Sequence, residues 1–293
     1  MHIGFLGFGL IGGSIARAVR ASRTDPSWTM CAWSPSGDGP ARAVADGTID
    51  RAAESAEAAL VDTDLIVLAA PPTACLTALD DLGGRWRTSL PPGAVITDVA
   101  STKAALLERA DAAGLRYVGG HPMAGLEVTG YGAGRADLFV DRPWVVIPGR
   151  LAGPGDVERV AALVEACRAR VVHLDAATHD RAVAGISHLP LILAAALVEA
   201  VAGAGTGRPR TDWPTAAQLA ASGWRDMTRL ARGDVAMGAG IAATHAQALA
   251  ERLREVQAVL ETWRTELERP GGPDESAIAE RLRAAAARLE PTS

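Results

Sequence analysis

The chain reads as a doubly wound α/β domain over residues 1–174 followed by an all-α domain over residues 175–293. Three observations predict this. A glycine-rich turn joins an apolar strand to a helix at the N-terminus, strand and helix patterns then alternate to about Asp175, and strand signals stop after that point. Strands alternating with helices call for right-handed crossovers, which wrap helices around a largely parallel sheet.

Residues 1–6 are a short apolar strand. It runs into Gly7-Phe8-Gly9-Leu10-Ile11-Gly12-Gly13, and residues 14–20 open a helix. A Gly-x-Gly-x-x-Gly with a strand before it and a helix after it is the context of a dinucleotide fingerprint, which makes the first domain Rossmann-type. In that reading Gly7 permits the tight turn, Gly9 lets the backbone approach a pyrophosphate, and Gly12 lets the helix pack on the strand. The helix N-terminus offers free N–H groups to the phosphates. Without that context the motif would be only a flexible turn. Further strands are expected at 28–33, 64–70, 94–98, 115–118, 144–147 and 170–173. Helices are expected at 102–113 and at 154–168, where Val157, Val160, Leu163, Val164 and Cys167 share one face.

The second domain is expected to hold helices at 179–201, 215–232, 237–267 and 274–289, with a peripheral tail from Pro270. The first of them is apolar nearly all round, so it must be covered by its own domain or by a second copy. A homodimer through this domain is expected, because so much apolar helix would otherwise face water. The longest apolar stretch, 189–198, is ten residues, too short to span a bilayer, and reads as a buried helix with no membrane role.

Composition excludes other classes. A formal net charge of −5 with no basic run argues against a nucleic-acid partner. Cys31, Cys75 and Cys167 are odd in number and far apart, which suggests neither disulfides nor a metal site and fits a reducing cytoplasm. The fold begins at the first residue, so no signal peptide is expected.

In a doubly wound sheet ligands bind beyond the carboxyl ends of the strands. The cofactor candidates are therefore Gly7, Phe8, Gly9, Leu10, Ile11 and Gly12 at the first turn, Ser34 after the second strand, Ala70 and Pro71 after the third, and Ser101 after the fourth. NAD-specific folds place an acid about 20 residues past the fingerprint to bond the ribose 2′-hydroxyl. Ser34 stands there instead, and a neutral side chain does not repel a 2′-phosphate; Arg42 is near enough in sequence to reach one. NAD and NADP both stay open. His121, in the glycine-bracketed stretch 119–125, is expected in a sharply bent loop at the carboxyl end of the fifth strand, on the same sheet edge as Ser101. A loop histidine is often only a surface or capping group. At a strand's carboxyl end, with an unperturbed pKa near neutrality, it is a candidate general base.

Gly120-His121-Pro122-Met123-Ala124-Gly125, residues 135–139, residues 142–145, the run 97–103, residues 179–183, Ser187-His188-Leu189-Pro190 and residues 225–231 resemble the prephenate dehydrogenase family. The motifs follow the family's order and cover residues 1 to about 235. The resemblance implies an oxidative decarboxylation, in which hydride leaves C4 of a cyclohexadiene dicarboxylate for NAD or NADP and the ring carboxylate departs as carbon dioxide. It further implies that His121 takes the C4 hydroxyl proton and that Ser101 bonds the same hydroxyl and helps seat the nicotinamide. Arg229 would hold a substrate carboxylate, and Ser187 and His188 would line the far wall. For Arg225 and Asp226, four and three residues before Arg229, a substrate role and a helix-surface ion-pair role stand level. Many members carry a histidine where this chain has Leu191, which leaves prephenate, arogenate and 4-amino-4-deoxyprephenate open as substrates and tyrosine inhibition unassigned. No regulatory or mutase-type domain is expected after the helical part. A 3-hydroxyacid or imine reductase would share the architecture but would not explain the His121 motif. A redox-sensing regulator would not need so many polar residues at the strand ends.

Overall fold

The structure is a computed structural model and describes residues 1–22, 28–204 and 210–289. Among these residues eight strands form one sheet. They are β1 (His2–Leu6), β2 (Thr29–Trp33), β3 (Arg51–Ala52), β4 (Leu65–Leu68), β5 (Val95–Asp98), β6 (Tyr117–Pro122), β7 (Pro143–Pro148) and β8 (Arg170–His173). The order is β3-β2-β1-β4-β5-β6-β7-β8, so the chain winds outward from β1 in both directions. The first six strands are mutually parallel. β7 then pairs antiparallel with β6, and β8 follows β7, so the last two strands run against the rest. Every expected strand is present. β3, two residues long, is too short to leave a pattern in the sequence.

Successive strand residues face opposite layers, which explains the near-continuous apolar runs. Phe5, Val67, Val95, Val118 and Val146 pack on one side with Ile15 and Val19 of α1 (Leu10–Ser22) and Leu163 of α6 (Pro154–Ala166). Leu6, Ile66, Ile96 and Tyr117 face the other side with Leu79 of α4 (Pro72–Gly83) and Leu106 of α5 (Ala104–Ala112). Two short helices, α2 (Asp38–Ala45) and α3 (Ala56–Leu60), complete the layers.

From Ala176 onward the chain is helical, with α7 (Ala176–Val183), α8 (Leu189–Ala202), α9 (Trp213–Leu219), α10 (Ser222–Thr228), α11 (Val235–Thr244), α12 (Ala246–Leu267) and α13 (Glu275–Ala287). Met1–Ala248 forms one compact unit, and the chain from Leu249 forms a second. The expected long helices are interrupted. A π-helical turn, Ala184–His188, joins α7 to α8. Pro190 has no N–H to give to a carbonyl one turn back, so the ladder slips to the wider spacing there. The expected helix 237–267 breaks at His245, whose backbone (φ −129°, ψ 22°) leaves the helical region.

The expectation that 189–198 is a buried helix fails for the single chain, since α8 buries only Ala194. Taken through the π-helical turn, the helical stretch 176–202 is long and apolar enough to cross a membrane by length and composition alone. Its first turns, however, are tied to the α/β domain by His179 and Asp180. The 14 residues of α8 that remain rise about 21 Å, short of the roughly 30 Å hydrocarbon layer.

Candidate active site

Asp98, at the carboxyl end of β5, organises the floor of the site. It is fully buried and takes the Lys103 ammonium, also fully buried, as an ion pair. Its carboxylate also accepts the Tyr117 hydroxyl, the Ala100 amide at 2.7 Å and the Gly120 amide at 3.2 Å. A buried ion pair is stable only when its remaining lone pairs are satisfied, and here three further donors do so. Burial, with Asp98 beside it, raises the Tyr117 phenol well above its ordinary value of 10 and keeps it a donor. Glycine is required at position 120, because a Cβ there would stand 2.4 Å from the Asp98 carbonyl oxygen. That close approach presses β6 onto β5 and fixes the residue that follows, His121.

His121 lies within β6, paired with Val145 of β7, rather than in the bent loop expected from its flanking glycines. The glycines permit close packing, and the strand runs straight through to Pro122. Its Nδ1 is 2.8 Å from Nε2 of His179 on α7, and Nδ1 of His179 is 2.7 Å from Asp180 Oδ1. Asp180 also caps α5 from outside that helix. Its two oxygens accept the amides of Lys103 at 2.9 Å and Ala104 at 3.0 Å, an anion placed where the helix dipole favours one. A second imidazole pair, His188 and His245, meets through Nδ1 atoms 2.8 Å apart. His245 Nε2 lies 3.9 Å from Asp180 Oδ2. All four rings are at most 7% exposed.

Burial sets the charge state of these groups. It lowers His121 well below 6.5, with Lys103, His179 and His188 adding to the effect. His188 is lowered to about 4, by burial and then by His245; burial also lowers His245. Burial works against the Asp180 carboxylate. Hydrogen bonds from His179 and from the Ala104 and Lys103 amides, helped by His245, still hold it below its usual range. Burial thus favours the neutral ring at His121, His188 and His245, near the Asp180 carboxylate.

Of these groups, His121 and His188 open onto a cavity of about 450 Å³. Of the residues singled out in the sequence, Gly9, Leu10, Ile11, Ala70, Pro71, Ser101, His121, Ser187 and His188 line it, and so does Leu191. Ser187 and His188 reach it from the π-helical turn, whose widened ladder turns consecutive residues inward. Gly7, Phe8, Gly12 and Ser34 do not line it. Gly7 is held at φ +87° and shapes the turn. The Phe8 ring is core, edge-on to Phe5 and stacked on Tyr131 at 5.6 Å. Gly12 lies against Ala69. Arg225 points away, exposed, with its guanidinium 3.4 Å from the Ala221 carbonyl. Arg229 is not among the lining residues either. Its side chain is 56% exposed and pairs with Glu127, which does line the cavity; it stands at the rim rather than within the cavity. Sequence reasoning missed Glu127, His245 and the part played by His179-Asp180. A His-Asp pair opening an apolar helix was the one available signal.

A dinucleotide can be tested against these residues. A Cβ built on Gly9 meets nothing within 4 Å, so the fingerprint leaves open space at the N-terminus of α1. The hydroxyls of Ser34 and Ser101 are buried without a hydrogen-bond partner, and buried polar groups seldom stay unpaired. Both features fit a bound nicotinamide dinucleotide. No group of three or more histidine, cysteine or acidic side chains among the described residues is arranged to hold a metal.

The family profiles for the nucleotide-binding domain and the dimerization domain of prephenate dehydrogenase match residues 15–173 and 175–283. The chain belongs to the prephenate dehydrogenase family. Prephenate dehydrogenase of Bacillus subtilis is 30% identical over 265 residues, covering 89% of this chain and 69% of that protein. The crystal structure of Synechocystis arogenate dehydrogenase is 29% identical, covers 99% of this chain and 100% of that one, and superposes with a TM-score of 0.76. Prephenate dehydrogenase from A. aeolicus, crystallised with hydroxyphenyl propionate and NAD+, is 23% identical, covers 98% of this chain and 96% of that one, and shares the fold with a TM-score of 0.85. Membership of the prephenate dehydrogenase family removes the 3-hydroxyacid and imine reductase alternative.

Proposed function

We propose that this chain oxidises and decarboxylates prephenate to 4-hydroxyphenylpyruvate, with NAD or NADP as the hydride acceptor. The observation that carries the reading is a neutral, buried imidazole, His121, on the wall of a cavity that also contains the fingerprint turn and Ser101. When bound, the nicotinamide takes the hydride from C4. His121 accepts the C4 hydroxyl proton as that hydride leaves, which needs a ring nitrogen with a free lone pair. The unpartnered Ser101 hydroxyl orients the same oxygen. Loss of the ring carboxylate as carbon dioxide completes the aromatic ring, and the proton returns to the phenol oxygen. Aromatisation drives the reaction, so the chain's task is to position the reactants and exclude water. Ser187 and His188 form the opposite wall. Arg229 meets a substrate carboxylate at the rim in exchange for Glu127, with bidentate geometry available to its guanidinium.

Gly9, Leu10, Ile11, Ala70 and Pro71 would hold the dinucleotide, with Ser34 at the end of β2 facing the adenosine ribose. The neutral Ser34 admits either ribose form. Arg42, the expected phosphate contact, lies 5.8 Å from the centre of the Tyr131 ring. Ser34→Asp is expected to weaken use of NADP far more than NAD, since facing like charges cost several kcal/mol. NADP kinetics unchanged from the wild type in that variant would remove Ser34 from the ribose. The apolar Leu191 on the cavity wall favours a second reading, the same chemistry on arogenate or 4-amino-4-deoxyprephenate. Offering the three cyclohexadienes with each cofactor, and following the reduced-nicotinamide absorbance, separates these readings. Turnover of none of them would end the proposal.

We place the domain boundary at 174/175, supported by the two family profiles meeting there, and propose a homodimer through the helical domain, with α8 as the apolar face to be covered. Three free, buried cysteines support a cytoplasmic setting.

A further inference from the structure

We propose that His179, anchored by Asp180, is a positioning residue that fixes His121 in the tautomer with the proton on Nδ1, leaving Nε2 as the base toward the cavity. The inference rests on the assignment of His121 as the proton acceptor.

It follows from counting donors and acceptors along one chain of contacts. Asp180 is an ionised carboxylate that accepts two backbone amides, one on each oxygen, so it has no proton to offer. His179 Nδ1, 2.7 Å from Asp180 Oδ1, must therefore carry the hydrogen. A neutral imidazole with its proton on Nδ1 has a lone pair on Nε2. That lone pair faces His121 Nδ1 at 2.8 Å, so His121 must donate from Nδ1. The nitrogen left for the cavity is His121 Nε2, unprotonated and able to receive a proton. The rings meet nearly edge-on, at an interplanar angle of 78°, which lets each nitrogen point along its neighbour's lone pair.

The surroundings oppose the alternative in which His179 carries both protons. His179 is 1% exposed, and Lys103 and Asp98 already form a closed ion pair beneath it. A second buried cation on His179 would stand in contact with the ring that must become positive during turnover. As His121 takes the substrate proton it becomes an imidazolium, and its Nδ1–H then donates more strongly to His179. The growing positive charge thus lies one imidazole away from the Asp180 carboxylate. The charged and titratable groups around His121 are Lys103 from the start of α5, His179 and Asp180 from α7, His188 from the π-helical turn with His245 behind it, and Glu127 on the cavity wall. Among these, His179 is the group in hydrogen-bond contact with Nδ1.

The test is the tautomer itself, read by long-range proton–nitrogen correlation on histidine-labelled protein near pH 7.5, with His121→Asn used to assign the His121 signals. The wild type should show His121 protonated on Nδ1. His179→Leu removes the acceptor, and His121 should move toward the Nε2–H form that is ordinarily preferred. Because general-base help is worth roughly 10²–10⁴-fold, kcat should then fall at least about tenfold while cofactor binding changes little. His179→Gln keeps an amide oxygen where Nε2 stood, and should restore both the tautomer and most of kcat. Three results would overturn the proposal: a wild-type His121 protonated on Nε2, equal losses in the leucine and glutamine variants, or a leucine variant with unchanged tautomer and kcat. If the leucine variant does not fold, the wild-type spectrum and the glutamine variant still decide. A His121→Asn enzyme with normal kcat would remove the base assignment while leaving the tautomer result intact, so the two failures can be told apart.

Discussion

In the proposed mechanism a single imidazole, His121, carries the chemistry, and its environment sets when it works. His121 is held well below 6.5, by burial first and then by Lys103, His179 and His188. An unperturbed ring would give an acidic limb near pH ~6.5; here the limb in the kcat/KM profile should lie clearly below that, since only the neutral ring can accept a proton. His121→Asn should lower kcat by roughly 10²–10⁴-fold with a much smaller change in KM, and should abolish that limb. An intact limb in the variant would pass the role to another group, with His188 the next candidate. Arg229 is the opposite case, an exposed group whose partner is another side chain. A charge pair in that setting is worth about 1 kcal/mol or less, so Arg229→Ala should raise substrate KM about fivefold or less and spare kcat. A rise of a hundredfold or more in KM would mean that Arg229 turns fully into the cavity when substrate binds.

At the scale of elements, the strand positions were legible in the sequence because runs such as Leu65-Ile66-Val67-Leu68 are apolar on both faces of a covered sheet. Their direction was not. Val145 and Val146 look the same in a parallel or an antiparallel strand, and only pairing reveals that β7 and β8 run backwards. The cofactor turn was legible because Gly7 and Gly9 answer local backbone demands. The histidine network was not, because His179, His188 and His245 come together through a π-helical turn and a helix break that no periodicity announces. Gly120 shows how a strand contact positions His121. With a Cβ 2.4 Å from the Asp98 carbonyl, Gly120→Ala should push β6 off β5 and destabilise the protein by about 1–3 kcal/mol, the usual range for overpacking. A denaturant midpoint equal to the wild type's would show that the two strands separate at no cost.

Across the whole molecule, the neutral histidines link stability to pH. The folded values of His121, His188 and His245 lie below the unfolded value near ~6.5, so between the two the unfolded chain binds more protons and stability falls as pH drops. His188 alone, lowered to about 4, corresponds to about 3 kcal/mol lost over that window. The melting temperature should therefore fall steeply from about pH 6.5 toward pH 4, and less steeply in His188→Gln. A profile that is flat until pH 4 would mean that these rings are already protonated in the folded protein.

The central claim is that one cavity couples hydride loss at C4 to loss of the ring carboxylate. It is tested most directly with prephenate carrying deuterium at C4 and carbon-13 in the ring carboxylate, incubated with the full chain and the preferred cofactor. The account predicts one deuterium on the reduced nicotinamide and one labelled carbon dioxide per turnover, in step throughout the reaction. Reduced cofactor without labelled carbon dioxide, or carbon dioxide released without cofactor reduction, would contradict it.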